Sequence, residues 1–423
     1  MGPWELISLE EARARAVTCM GALRRKTELV GLRAALGRIA ADDVISREDN
    51  PPFDRATMDG FALRSSETQA ASAAMPINFE VIGEVRMGRL AGLKLEKGQV
   101  ARIPTGGMLP AGADAVVMQE AVRQTADGIL QVMKAVTPGE NIIRRGEDMV
   151  AGAVVVRGGS RIGVPDLGVL ASCGVETVAV VKKPIVTVVT TGDEIVSLGV
   201  VLEPGQIRDV NSFTLAALAE TAGCEARLAQ KVPDSQDSLL ETLRGAIRES
   251  DVVLISGGSS VGDRDFTTTA VQAIPGIKIL FHGVALKPGK PALMALVNET
   301  AVFGIPGHTV AAMTVFQEIV APALSARQGA TGVAPRFFIK ARLAAALRPD
   351  AARNEIFRVR LEQREDGAVA WPLPAKSGLI TVMTRAQGMV YTKAGQPEMQ
   401  VGEIVEVQVM MDRVNGPWQG ELR

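Results

Sequence analysis

Aromatic residues are scarce. The chain carries 11 Phe, 3 Trp and 1 Tyr, 4% of its residues, so its core must be built from Val, Ile, Leu, Ala and Met. Histidine and cysteine are scarcer, at two and three. Cys19, Cys173 and Cys224 stand far apart and form no Cys-x-x-Cys pair. With only His282 and His308 beside them, they argue against a Cys/His metal centre. An odd, sparse cysteine count fits a reducing compartment, and a cytoplasmic location is expected. The net charge of −1 shows no excess of either sign, which argues against a general nucleic-acid binder. No uninterrupted run of ~20 apolar residues occurs, so no membrane span is expected. The N-terminus carries Glu5, Glu10 and Glu11 and no apolar core of signal length, so no export signal is expected.

Hydrophobic residues make up 47% and charged residues 22% of the 423 residues, the balance of a globular chain long enough for about three domains. Its most informative stretch is Asp251–Phe266, DVVLISGGSSVGDRDF. The apolar run Val252–Ile255 predicts a buried parallel strand, and Ser256-Gly257-Gly258-Ser259-Ser260 a glycine loop leading to a helix from about Asp265. Such a loop is either a plain strand-to-helix turn or a phosphate cradle. In a cradle, the glycines admit an anion to the backbone N–H groups and the hydroxyls bond its oxygens. Asp263 and Asp265 then stand where a divalent ion on a bound phosphate would want oxygen ligands.

Upstream, Ser8 followed by Glu11 reads as a capping box opening a helix to about Leu23. A second helical stretch is expected over Leu32–Ala40. The paired prolines of Pro51-Pro52-Phe53-Asp54-Arg55-Ala56-Thr57-Met58-Asp59-Gly60 break regular structure, and Asp59-Gly60 suggests a tight turn. Residues Ile77–Val136 alternate short apolar runs with glycine turns, a small β-domain. Within it, Thr105-Gly106-Gly107 sits at a strand end, as an oxyanion contact or a turn. Gly139–Asp148 crowds Arg144, Arg145, Glu147 and Asp148 into one loop, either a solvated charge run or a phosphate- or metal-facing segment. A helix starts at Val164-Pro165, with Gly174 closing it, and is expected to pack on the first helices.

From Lys183 strands and helices alternate. Pro184–Thr190, Ala226–Val232, Val252–Ile255 and Ile277–Phe281 read as strands, and Ala292–Val297 with Ala301–Gly304 as a hairpin. Helices are expected over Ser235–Glu249, over Thr309–Leu324, and from a cap at Asn211 or Ser212 to about Ala222. This alternation is a doubly wound α/β sheet covered on both faces, with ligands expected at one rim of strand ends. Asp193, Glu194, Asp234, Ser259, Ser260, Asp265, Lys287 and Lys290 fall at those ends. Carboxylates, hydroxyls and lysines there suit a phosphorylated ligand with Mg²⁺. After about Val333 strands return as a compact β-barrel or sandwich, with Arg353, Arg358, Ser377 and Arg385 as candidate anion ligands or plain surface residues.

With these residues in view, the sequence resembles the molybdopterin molybdenumtransferase family, the MoeA and gephyrin E-domain group. The resemblance rests on PPFDRATMDGFALR, RIPTGGMLPAGADAVVMQE, GENIIRRGED, VVTTGDEI, GQIRDVNS, SGGSSVGDRDF and VALKPGKP, in that order along nearly the whole chain. It implies four parts. A discontinuous helical domain would take about 1–48 and 146–182, with an inserted β-domain over about 49–145. A molybdopterin-binding α/β domain would follow over 183–329 and a C-terminal β-barrel-like domain over 330–423.

The resemblance further implies a homodimer with its site between one subunit's α/β domain and the other's β-domain. The implied reaction inserts molybdate into adenylylated molybdopterin with Mg²⁺ and release of AMP. Molybdopterin adenylyltransferase and apo-molybdoenzymes are the implied partners. Under this resemblance Glu194, Asp234 and Asp265 hold Mg²⁺ or order water. Lys287 and Lys290 bind molybdate or phosphate. Ser259 and Ser260, with Asp193, Gly257 and Gly258, contact the pterin phosphate or the oxyanion. Asp59, Thr105, Arg144 and Asp148 reach across the dimer, and Arg353, Arg358, Ser377 and Arg385 close the site.

Two places depart from the family pattern. Pro306-Gly307-His308-Thr309-Val310-Ala311-Ala312 replaces the usual Pro-Gly-Asn-Pro-Val-Ser-Ala, and Ser259 stands where Val is usual. The first change removes a serine expected near the oxyanion and raises tungstate as an alternative substrate. The related adenylyltransferases carry Gly-Gly-Thr-Gly, absent here. A non-catalytic scaffold, as gephyrin is at synapses, has no use for the retained acids and lysines.

Overall fold

Burial on both faces organises the six-stranded sheet of residues 185–305. The structure, a computed structural model, describes residues 6–257, 266–331, 336–374 and 376–410. Gly258, Ser259, Ser260, Asp263 and Asp265, singled out above, lie outside the described residues. In the strands Ile185–Thr190 and Val252–Ser256 successive side chains point to opposite faces. Val186, Val188, Val252 and Leu254 pack with the helices Leu9–Ala22, Asn211–Thr221 and 309–327 on one side. Val189, Val253 and Ile255 pack with Gln236–Glu249 and Phe266–Gln272 on the other. Strands buried on both faces read as unbroken apolar runs, as these do.

The six strands lie in the order Glu225–Leu228, Ile185–Thr190, Val252–Ser256, Thr300–Ile305, Leu293–Val297, Lys278–His282. The first four are parallel. The last two join antiparallel, the expected hairpin among them. Parallel order puts the C-terminal ends of four strands on one edge, where the crossover loops gather.

A second six-stranded sheet spans Gly60–Val132. Around it, Thr27–Gly31 pairs with Thr177–Val181, and Val44–Ile45 with Val154–Val156, so the chain leaves on one strand of each ladder and returns on the other. Near the C-terminus five strands close on themselves as a barrel. Asn354–Arg364 pairs both with Gly367–Pro372 and with Gly388–Thr392, and Phe338–Leu343 and Ile404–Val409 complete the ring. Closure leaves that sheet no free edge within the ring.

Several expectations are corrected. Over Leu32–Ala40 only Leu32–Ala35 is helical, as one 3-10 turn, because Gly37 takes φ +73°, Ile39 bridges to Arg161 and Ala40 to Val180. The strand expected over Ala226–Val232 stops at Leu228. Ser8 does cap the first helix, accepting from the Glu11 N–H at 3.0 Å, while the Glu11 carboxylate pairs with Arg15. The helix Val164–Ser172 packs with Ala35 and not with Leu9–Ala22. The first helix lies instead on the helix 309–327, its small residues allowing close approach, with Gly21 set against Ala326. At Asn211–Thr221 the cap is made by Asp209, whose Oδ1 accepts from the Ser212 N–H at 3.0 Å.

The helix 309–327 is long and apolar enough to cross a bilayer by length and composition. Here it is mostly core, and it carries a π-turn at Phe316–Val320. Glu318 in that turn is 2% exposed. Its Oε2 accepts from Arg13 of the first helix and, at 3.2 Å, from Arg336. Its Oε1 accepts from the Tyr391 hydroxyl of the barrel at 2.7 Å. Removing Glu318 takes the partner from Arg13, Arg336 and Tyr391; the arginines are about a third exposed and can turn to water, so the cost is about 1–3 kcal/mol. Glu318→Ala is therefore expected to lower the urea midpoint of unfolding by that equivalent. An unchanged midpoint would show that Arg13 and Arg336 are satisfied without it.

Candidate functional site

The rim is built by backbone contact first. Thr190 and Ser256 are register partners at the ends of adjacent parallel strands, so the loops that follow them meet. Gly257 has φ +112°, and a Cβ there would lie 2.2 Å from the Thr191 carbonyl oxygen. No other residue fits without moving the loop. Thr191 Oγ1 donates to Asp234 Oδ1 at 2.7 Å, and the Asp234 N–H donates to Asp193 Oδ1 at 3.1 Å. Thr267 Oγ1 donates to the Gly257 carbonyl at 2.8 Å. Glu194 is exposed beside them. Asp193 and Asp234 each keep a second carboxylate oxygen outside these bonds.

Asn211 was expected as a helix cap but crosses the rim instead. Its Nδ2 donates to Ser256 Oγ and to the Gly307 carbonyl, both at 2.7 Å, and its Oδ1 is buried without a donor among the described residues. Thr191 and Asn211 are thus rim-building residues that sequence reasoning missed. The signal was position: each directly follows or faces a parallel strand end.

The barrel meets the sheet at a seam. Lys287, read above as an oxyanion ligand, has partners of its own: its Nζ lies 3.0 Å from Glu355 Oε1 and 3.7 Å from Asp350 Oδ2. Arg353 likewise donates to Asp350 Oδ2 at 2.6 Å. That guanidinium, then the Ala352 N–H, holds the Asp350 carboxyl down to about 2. Arg358 is 5% exposed and donates to Thr314 of the helix 309–327. Burial pushes its guanidinium down to about 10, and its Nε has no acceptor among the described residues. Lys287, Glu355, Arg358 and Lys376 share one small pocket. Ser377 Oγ lies 3.2 Å from His308 Nδ1, linking the barrel side to the residue after Gly307. Lys290 is half-buried, and its ammonium forms no ion pair among the described residues. Arg385 sits half-buried on the short helix Thr381–Arg385.

The remaining candidates stand on and beside the second sheet. Asp59 Oδ1 accepts from the Thr105 N–H at 2.7 Å and its hydroxyl at 3.0 Å, which holds the exposed carboxyl below its usual range. The Arg144 N–H donates to Glu147, leaving its guanidinium exposed, and Asp148 accepts from Asn50 at 2.8 Å. No hydrogen bond or ion pair among the described residues joins Asp59, Thr105, Arg144 or Asp148 to the rim. Among the described residues no three His, Cys, Asp or Glu gather closely enough to hold a metal ion. Of the expected ligands Glu194, Asp234 and Asp265, the last lies outside them.

Three family profiles match the chain in order. They are the MoeA N-terminal region (domain I and II) at residues 7–174, a probable molybdopterin binding domain at 187–326 and the MoeA C-terminal region (domain IV) at 340–410. A molybdopterin molybdenumtransferase of Staphylococcus aureus is 33% identical over 402 residues, covering 95% of each chain. One of Staphylococcus epidermidis is 33% identical over 379 residues, covering 89% of this chain and 90% of its own. Among solved structures, a molybdopterin biosynthesis MoeA protein of Pyrococcus horikoshii OT3 superposes with a TM-score of 0.81 at 30% identity. It covers 96% of this chain and 100% of its own.

The seam carries a pH signature. The Asp350 carboxyl titrates at about 2 when folded, below its unfolded value near ~3.9. Its contribution to stability is full above the unfolded value and is lost as pH falls through about 2. A carboxyl-carbon NMR titration should place the Asp350 midpoint near that value and move it upward in Arg353→Ala. A midpoint that stays put in the variant would refute the assignment to Arg353.

Proposed function

The chain belongs to the molybdopterin molybdenumtransferase family and acts in molybdenum cofactor biosynthesis, and from that premise we propose the reaction its rim and seam perform. The substrate is adenylylated molybdopterin. Molybdate is inserted into the dithiolene and the adenylyl group leaves as AMP. The observation that carries this reading is the Thr191–Asp234–Asp193 network held against Gly257, which joins carboxylates from two loops at the strand ends.

Glu194 and Asp234 are hard oxygen donors of the kind Mg²⁺ takes; with Asp265, which lies outside the described residues, they would hold it beside the pyrophosphate. Bound there, Mg²⁺ would neutralise charge on the pyrophosphate. The chain's own part is positioning and electrostatics, which is most of what phosphoryl cleavage asks of a protein. Gly257 lets the Thr191 loop close against the strand end, which sets Asp234 and Asp193 in place. Lys290 and Arg358 offer positive charge to the oxyanion, and Ser377 a hydroxyl. Lys287 and Arg353 are held by Glu355 and Asp350, so they act as a set with those acids. Molybdate and tungstate are both tetrahedral dianions that such a set admits.

Four parts at the boundaries given above, in a cytoplasmic homodimer, complete the proposal. Asp59, Thr105, Arg144 and Asp148 then serve the rim of the second copy, which accounts for polar loops that bond nothing at their own chain's rim. Molybdopterin adenylyltransferase supplies the substrate, and apo-molybdoenzymes accept the product.

The test is AMP release from adenylylated molybdopterin by purified protein with Mg²⁺ and molybdate, with the product offered to an apo-molybdoenzyme. Release dependent on both ions is expected, falling ~100-fold or more in Asp234→Ala. Binding without release would overturn the reading. Mixed, refolded dimers of Asp59→Ala and Asp234→Ala should recover about a quarter of wild-type activity if the site is shared between copies. No recovery would place Asp59 outside the partner's site.

A further inference from the structure

At the opposite edge of the same sheet, Lys26, Lys182, Lys183, Asp251 and Arg327 line a pocket of about 50 Å³. Ile185 and Val252 begin their strands there, so the pocket lies roughly a strand length, ~20 Å, from the acid rim. Four cations face one carboxylate. That carboxylate is already engaged on both oxygens: Asp251 Oδ1 accepts from Arg327 Nη2 and Oδ2 from the Ile185 N–H, each at 2.8 Å. Arg327 is 5% exposed; its Nη1 donates to the Arg24 carbonyl at 2.8 Å, and its buried Nε has no acceptor among the described residues. The three lysines are exposed at the mouth. Among the described residues the lysine ion pairs belong to Lys134 and Lys287, so none of these three is neutralised.

We propose that this pocket is a second anion site, separate from the reaction, that takes one tetrahedral dianion of phosphate type, free or as the end group of a phosphorylated molecule. Size and charge select the class together. A water needs only ~10–15 Å³ measured this way, so the pocket has room for a small oxyanion head, and its open mouth leaves space for whatever that head is attached to. At the floor the Arg327 guanidinium is balanced by Asp251, so the net positive charge comes from the three lysines, and the buried Nε–H of Arg327 is left as a donor. Lysines at the rim of the pocket bring flexible ammonium donors to oxygens pointing outward. Like charges brought together on a chain of net charge −1 repel one another when empty, and a bound dianion removes that repulsion.

Inorganic phosphate is titrated calorimetrically into the full chain at ionic strength held constant with KCl. The chains compared are the wild type, the Lys26→Gln/Lys182→Gln/Lys183→Gln variant and Lys290→Ala. Saturable binding is expected in the wild type and in Lys290→Ala, weakened at least tenfold in the triple variant, whose thermal unfolding without phosphate is not lowered. Should the triple variant not fold, Lys183→Gln alone is read, with a threefold weakening expected. AMP as a second probe separates the sources, read as the part of its binding lost in the lysine variant: a loss matching that of phosphate means an end group is accepted, and a loss for phosphate alone means the free ion. The proposal falls if the wild type shows no saturable binding of either probe. It falls equally if the lysine variants bind as the wild type does, or if Lys290→Ala alone abolishes binding.

Discussion

A carboxylate buried in the middle of an apolar helix has to be answered by charges from elsewhere. Glu318 is answered from two directions, by Arg13 of the first helix and by Arg336 and Tyr391 of the barrel side. The π-turn at Phe316–Val320 widens the helix where that carboxylate sits. Burial first, and then Glu318, raise the Tyr391 hydroxyl, so it remains a donor at any ordinary pH. An apolar residue at 318 would pack the helix as well. It would not specify which face of the barrel docks or where the N-terminal helix lies, and those are the choices on which the seam depends.

With the barrel fixed that way, charges sort by location. Asp193, Glu194 and Asp234 belong to the sheet's own loops, close to the strand ends. Glu355, Arg358 and Ser377 arrive from the barrel side, and Arg358 is tied back to Thr314, one helical turn before Glu318. The rim therefore offers oxygen donors and the seam offers cations, on neighbouring surfaces of different origin. A substrate bearing phosphates and a separate oxyanion can meet both at once. Neither sheet alone presents that pair of environments.

Much of this was legible in the sequence, for reasons that particular residues make plain. The apolar runs at 185–190 and 252–256 could only be strands buried on both faces, and the parallel order followed from the helices between them. Ser8 announced its helix through a local bond, which sequence spacing does report. What was not legible is whatever depends on a distant partner. Asn211 looks like a cap from its neighbours, yet its amide spans Ser256 and Gly307. Lys287 looks like a free ammonium beside a proline-glycine turn, and its counter-ions come from the barrel. Leu32–Ala40 has a helical pattern of apolar residues, but Gly37 and the neighbouring strand Thr177–Val181 decide otherwise.

The pre-paired lysine changes what the seam can discriminate. A free ammonium would attract any anion nearly equally well. Lys287 lies between Glu355 and Asp350, so an approaching anion meets two carboxylates as well as the cation, and weakly charged anions gain little there. Asp350, held down to about 2, and Arg358, pushed down only to about 10, both keep their charge throughout the neutral range. Under the proposed reaction their contribution to selectivity is consequently a matter of the anion's charge and size, set by fixed fields, and not of pH. Because Arg358 is buried, its part in that discrimination is also screened less by salt than a charge at the exposed Asp193 or Glu194.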